Sequence, residues 1–148
     1  MSTWYSSRSV PKVHRNYHRV CAGACVFNSN GKVLLVKDNW SKWGFPKGYL
    51  EANESSLEGA QREVREETGI TFTVIKKLLP VHYEEPRTTR KGTWLKHVLI
   101  FYGTGDGVPR VDKNEIISTG WFAVDQAKSM LSGSPNILSV LIAGMQNI

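Results

Sequence analysis

Apolar and polar positions alternate along the chain in a way that divides it into short strands and three helical stretches. Residues 19–28 (Arg-Val-Cys-Ala-Gly-Ala-Cys-Val-Phe-Asn) are nearly continuously apolar and predict a buried strand. Ser29-Asn30-Gly31 is a turn signal, and Lys32 to Lys37 predict a second strand, so the pair forms a hairpin. Asp38 to Glu54 is loop-like, punctuated by Gly44, Pro46 and Gly48. Ser55 to Thr68 predict a helix: Ser55 caps it, Glu58 completes a capping box, and Gly69 stops it. Thr71 to Tyr83 and Leu95 to Thr104 have the β-branched and aromatic character of strands. Gly103 to Asn114 reads as a loop and Ile117 to Val124 as a short strand. Asp125 to Leu131 predict a helix capped by Asp125, and Ile137 to Met145 a final apolar helix. Without regular strand–helix–strand alternation, this order predicts an α+β fold, an α/β/α sandwich.

Length and composition add bounds. The 148 residues suit one domain, expected over 18–148 and preceded by a basic arm over 1–17. Hydrophobic residues at 41% and charged residues at 22% are ordinary for a globular chain and argue against disorder. No apolar run approaches the roughly 18 residues of a membrane span. Residues 1–20 hold four bases, four serines and no acid, a composition like a transit peptide. Pro11 interrupts that stretch, however, and no apolar segment of the secretory kind follows. Cys21 and Cys25 would lie about 13 Å apart on an extended strand, too far for a disulfide. Reduced thiols fit an intracellular compartment, and the expected location is cytoplasmic.

Charge is segregated. The net charge is +6, yet residues 51–67 hold six acids and two bases, a local −4, which leaves +10 on the rest. An acidic patch on a basic body suits a metal site beside a surface that attracts a polyanion. The acids have a helical arrangement. At about 100° per residue, Leu57, Ala60 and Val64 form a core-facing stripe, and Glu63, Glu66 and Glu67 fall on the adjacent flank. Three carboxylates so close repel one another, which should raise one or more of their pKa values. A divalent cation relieves that cost, and hard oxygen ligands suit Mg²⁺ or Mn²⁺. Arg62 is placed to orient a carboxylate by a charge-assisted bond. In the preceding loop, Trp43-Gly44-Phe45-Pro46-Lys47-Gly48, the glycines permit close backbone approach and Lys47 offers a charge to a phosphate.

Gly48, Glu54, Arg62-Glu63, Glu66-Glu67, Gly69 and the aliphatic positions around them resemble the Nudix box at every fixed position. A looser resemblance covers about 18–131, through Ala22-Gly23-Ala24, Trp-x-Phe-Pro-Lys-Gly and Gly120-Trp121-Phe122. The resemblance implies an α/β/α sandwich with a mixed central sheet. It also implies a hydrolase of phosphoric anhydrides that uses Mg²⁺ or Mn²⁺ and water attack at phosphorus. Glu63 and Glu67 then correspond to the main metal ligands, and Glu66 to a proton acceptor or further ligand. The Gly48 carbonyl completes the coordination, and Arg62 and Glu54 orient the catalytic carboxylates. Some relatives recruit another acid from a later loop. Glu115 is the first candidate here, with Asp112, Glu84 and Glu85 as alternatives.

The box does not name the substrate. The Trp-x-Phe-Pro-Lys-Gly entry resembles hydrolases of dinucleoside polyphosphates, diphosphoinositol polyphosphates and RNA 5′ ends. A dinucleoside polyphosphate such as diadenosine tetraphosphate is the leading expectation, followed by those two and an oxidised nucleoside triphosphate. Arg87, Arg90, Lys91 and Lys96 form a basic cluster expected to contact phosphates from a mobile hairpin loop. Trp94, Tyr83 and Tyr102 are candidates for stacking on a base. The lone Pro86 is a weak pointer to the ADP-ribose branch. His14, His18, His82 and His97 show no metal-ligand spacing. A non-catalytic module that binds a nucleotide or RNA is the alternative of a different class, and the intact carboxylates argue against it.

Overall fold

The computed structural model describes residues 18–147; the arm expected over 1–17 lies outside them. The elements run β1 (His18–Phe27), β2 (Val33–Asp38), β3 (Trp43–Gly44), β4 (Lys47–Tyr49), α1 (Ser56–Thr68), β5 (Thr73–Val74), β6 (Val81–Thr89), β7 (Gly92–Thr104), β8 (Ile116–Phe122), α2 (Val124–Met130) and α3 (Pro135–Met145). The sheet is mixed. β1 and β7 pair in parallel from His18↔Leu95 to Phe27↔Thr104, and the other ladders are antiparallel. Its backbone order is β3-β2-β1-β7-β5, with β8 beside β2, β4 beside β1 and β6 beside β7.

The apolar run of β1 follows from burial on both faces. Cys21, Cys25 and Phe27 enter one core with Val33, Leu35, Val98, Ile100 and the α2–α3 residues Ala127, Leu131, Val140 and Leu141. Val20, Ala22, Ala24 and Val26 enter the other with Leu34, Leu99, Phe101 and the α1 residues Ala60 and Val64. Helices therefore cover both faces, as an α/β/α sandwich requires. Both cysteines are free and buried, and burial pushes the Cys21 thiol up to about 11. Tyr102 is a core residue whose hydroxyl donates to the Val140 carbonyl at 2.6 Å and ties α3 to the sheet. Its expected role in base stacking is thereby excluded, because both its ring and its hydroxyl are engaged inside.

The capping signals at α1 are realised. The Ser55 hydroxyl accepts from the Glu58 N–H at 3.1 Å, and the Glu58 carboxylate accepts from the Ser55 N–H at 2.9 Å. Gly69 closes the helix at φ 76°, a left-handed conformation that favours glycine, and its N–H donates to the Arg65 carbonyl. At α2 the structure differs. Ala123 occupies the N-cap with no side-chain bond, and Asp125 lies inside the first turn. A carboxylate there still interacts favourably with the positive helix end, which explains its presence without a cap. The loop expected over 38–54 contains the short strands β3 and β4, which pair with β2 and β1. The basic segment expected as a hairpin loop is a regular two-stranded hairpin, with Thr89 facing Gly92 at its turn. Pro86 sits within β6, which among the described residues pairs only with β7; an edge position tolerates the missing N–H. Among the described residues, no helix is long and apolar enough to cross a membrane.

Candidate active site

Three carboxylates project from the flank of α1 toward β4, as the helical period predicts. Glu63 and Glu67 are buried, whereas the Glu66 side chain is 41% exposed. Burial first, and the Glu63 charge second, push the Glu67 carboxyl up to about 8. The backbone N–H of Lys47 donates to Glu67 at 3.2 Å. Gly48 lies so close that a Cβ there would run into the Glu63 carboxylate. That contact explains why this position requires glycine and brings its peptide against the acidic group.

Arg62 organises the cluster. Its Nε and Nη2 donate to the two Glu54 oxygens at 2.7 and 3.0 Å, a fork that fits a carboxylate. Its Nη1 donates to Glu63 at 2.8 Å and to Glu66 at 3.1 Å, and Nη2 also reaches the Tyr49 carbonyl at 3.1 Å. The Arg62 hydrogen bond holds Glu54 below the usual carboxylate range.

The sequence reading missed Lys113. Its ammonium donates to Glu63 at 2.9 Å and stands 3.8 Å from Glu66 and 4.0 Å from Glu115. Burial opposes its charge, but the Glu63 hydrogen bond and the charges of Glu63, Glu67 and Glu115 outweigh it and raise its pKa. Lys113 comes from the loop before β8, fifty residues from Glu63, so no local pattern could announce it.

The site has the chemistry to hold a divalent cation. Glu54, Glu63, Glu66 and Glu67, set against Arg62 and Lys113, leave two negative charges in ionised form. The donors are all oxygen, and the Gly48 peptide approaches without a side chain in the way, a set that suits Mg²⁺ or Mn²⁺.

Beside this cluster is a cleft of about 630 Å³, bounded by the sheet and the start of α3. Glu67, Lys47, Lys96, Arg87, Glu85 and Glu115 line it, together with Trp40 and Trp43. Lys96 is buried in β7, 3.8 Å from Glu85. Burial, and then the Lys96 charge, lower the Lys47 pKa, so two ammonium groups converge in this cleft.

The other sequence candidates divide. Of the four acids proposed from later loops, Glu115 and Glu85 face the cleft. Asp112 instead pairs with Arg110 at 3.3 Å, and Glu84 projects on the opposite face of β6 from Glu85. Arg87 reaches the cleft. Arg90 and Lys91 do not; they line a separate hollow at the hairpin turn with Arg19, Thr93 and Trp94. Trp40, 85% exposed, and Trp43 line the cleft, whereas Trp94 lines the hollow at the hairpin turn and Tyr83 packs against the core. The signal was present, since Trp43 opens the Trp-x-Phe-Pro-Lys-Gly entry and Trp40 lies three residues before it.

Comparison with known proteins agrees with this geometry. The family model for the NUDIX domain matches residues 17–141, and the chain belongs to that family, whose hydrolases act on phosphoric anhydrides. The 8-oxo-dGDP phosphatase NUDT18 of Danio rerio is 32% identical over 130 residues, covering 84% of this chain and 37% of that protein. An RNA pyrophosphohydrolase of Erythrobacter litoralis is 29% identical over 85 residues, 52% of each chain. The chain thus spans about a third to a half of the length of these relatives. The crystal structure of a Caenorhabditis elegans Ap4A hydrolase superposes with a TM-score of 0.65 at 17% identity, covering 88% of this chain and 99% of that one, which establishes the shared fold.

Proposed function

We propose that this chain is a pyrophosphohydrolase dependent on Mg²⁺ or Mn²⁺ that cleaves a diphosphate linkage in nucleotides bearing several phosphates. Dinucleoside polyphosphates of the diadenosine tetraphosphate type are the leading substrate class. The observation that carries this reading is the junction of two features. A buried carboxylate group braced by Arg62 adjoins a cleft where Lys47, Lys96 and Arg87 meet two tryptophans. A phosphate chain matches the cations, and a nucleobase matches the indole faces.

Glu63, Glu67 and the Gly48 carbonyl hold the cation in this proposal, with Glu66 as a further ligand or as the base. A bound divalent ion supplies charge neutralisation at phosphorus and a lower pKa for water. Glu66, 41% exposed and hydrogen-bonded to Arg62, accepts the proton of the attacking water. Arg62 and Glu54 fix the direction of the carboxylates, and Glu115 is a second acid within reach of the cleft. Lys47, Lys96 and Arg87 bind the non-bridging phosphate oxygens. A cytoplasmic location remains part of the proposal, in keeping with two free thiols.

A second reading has its own support. The Danio rerio relative is described as acting on 8-oxo-dGDP, and its match covers most of this chain, so an oxidised nucleoside diphosphate is the competing substrate. The test is a Mg²⁺-dependent panel of diadenosine tetraphosphate, a diphosphoinositol polyphosphate, 5′-triphosphate RNA and 8-oxo-dGDP, with Glu66→Gln in parallel. Cleavage of the first, lost in the variant, is the expected result. Preference for 8-oxo-dGDP selects the second reading. Binding without turnover of any of the four, with or without Mg²⁺, would assign the chain to a binding module.

A further inference from the structure

The four histidines show no ligand spacing in sequence, yet the sheet brings two of them together with an acid. In the β6–β7 ladder Glu84 stands directly opposite His97, and His82 lies two residues back on the same face as Glu84. His82 Nε2 and His97 Nδ1 are 3.0 Å apart, and their rings stack with centroids 5.2 Å apart and planes at 23°. One ligand atom from each of His82, Glu84 and His97 lies within 4.8 Å of the others. His97 is buried, His82 half-buried and Glu84 exposed. The cluster therefore has an anchored inner ligand and an outer one open to solvent.

It is separate from the cleft. His97 and Glu84 alternate with Lys96 and Glu85, which face the cleft from the other side of the sheet. His97 shares its face with Val20 and Leu99, the face covered by α1.

We propose that His82, Glu84 and His97 form a second metal site, selective for Zn²⁺ over Mg²⁺, that staples β6 to β7. Two imidazoles and a carboxylate are a borderline-soft donor set, unlike the all-oxygen group on α1. Tetrahedral zinc with bonds of about 2.0–2.1 Å places two nitrogens about 3.3 Å apart, so the observed pair needs to open by only a few tenths of an ångström. Coordination replaces the hydrogen bond between the rings and leaves the outer nitrogen of each ring to carry its proton. The consequence is mechanical: the staple stiffens the hairpin whose cleft face carries Glu85, Arg87 and Lys96.

The experiment uses the tag-free full-length chain, loaded with Zn²⁺ and dialysed against excess Mg²⁺, with bound zinc measured by atomic emission. Titration with Co²⁺ is followed in parallel by visible absorption. Retention of equimolar zinc and tetrahedral Co²⁺ bands are expected in the wild type and in Glu63→Gln/Glu67→Gln. Both signals are lost in His82→Asn and in Glu84→Gln, which alter partly or fully exposed groups and leave the core intact. His97→Gln is the third variant, accepted only if its circular dichroism and thermal melt match the wild type. Failure of the wild type to retain zinc overturns the proposal. So does retention that survives His82→Asn and Glu84→Gln, or that disappears only when Glu63 and Glu67 are changed.

Discussion

The acidic flank of α1 and the basic β6–β7 hairpin are both dense runs of charge, but the fold treats them in opposite ways. On the helix, a period of 3.6 gathers residues three and four apart onto one side, so Glu63, Glu66 and Glu67 converge. On the hairpin, a period of two sends neighbours to opposite faces. Glu84 and Glu85 part company, Lys96 and Arg87 enter the cleft, and Arg90 and Lys91 are left at the turn. A charged run on a helix is therefore a site in waiting, whereas one on a hairpin is two half-sites facing apart.

Mutations sharpen this contrast. The largest effect belongs to Glu66→Gln, which should lower kcat about a thousandfold while the melting curve stays put, as expected for loss of a proton acceptor. Turnover near the wild-type rate would take Glu66 out of that role. Arg62→Ala comes next. It leaves Glu54, 12% exposed, without its cation and leaves Glu63, 4% exposed, with Lys113 alone, and should cost about 3 kcal/mol of stability by urea unfolding. An unchanged midpoint would mean that solvent replaces the guanidinium.

Lys96→Met should reduce kcat/KM about tenfold, chiefly through KM, because the proposal gives its ammonium a phosphate contact in the cleft. Equal KM values in variant and wild type would place the phosphates elsewhere. Lys113→Met removes the ammonium that competes for Glu63, so Mn²⁺ should bind about threefold to tenfold more tightly by electron paramagnetic resonance. Weaker binding would show that Lys113 orders the ligands instead of opposing the ion. The smallest effect belongs to Arg90→Ala/Lys91→Ala, expected to change kcat/KM by less than about twofold on a small substrate. A drop as large as that of Lys96→Met would break the division between the cleft face and the turn.

Much of the fold was legible because its signals are local. The Ser55–Glu58 capping box, the Gly69 stop and the apolar run of β1 each depend on residues a few positions apart, and each is realised. The misreadings share a different origin. Asp125 looked like a cap because Asp is favoured there, but the helix begins one residue earlier, at Val124. Lys96 reads as grouped with Arg90 and Lys91 in one hairpin loop, yet pairing with Arg19 and Glu85 draws it into the sheet and buries it.

By itself the sequence determined which carboxylates share a helical flank and set Arg62 beside them, because helix geometry fixes those relations over short spans, while the place of Gly48 against them was implied only by the resemblance to the Nudix box. Only the tertiary structure decided that Lys113 reaches Glu63, that Lys47 and Lys96 share a cleft with Trp40 and Trp43, and that His82 meets His97. Those contacts depend on strand register and loop closure, where a shift of one residue turns every side chain to the other face.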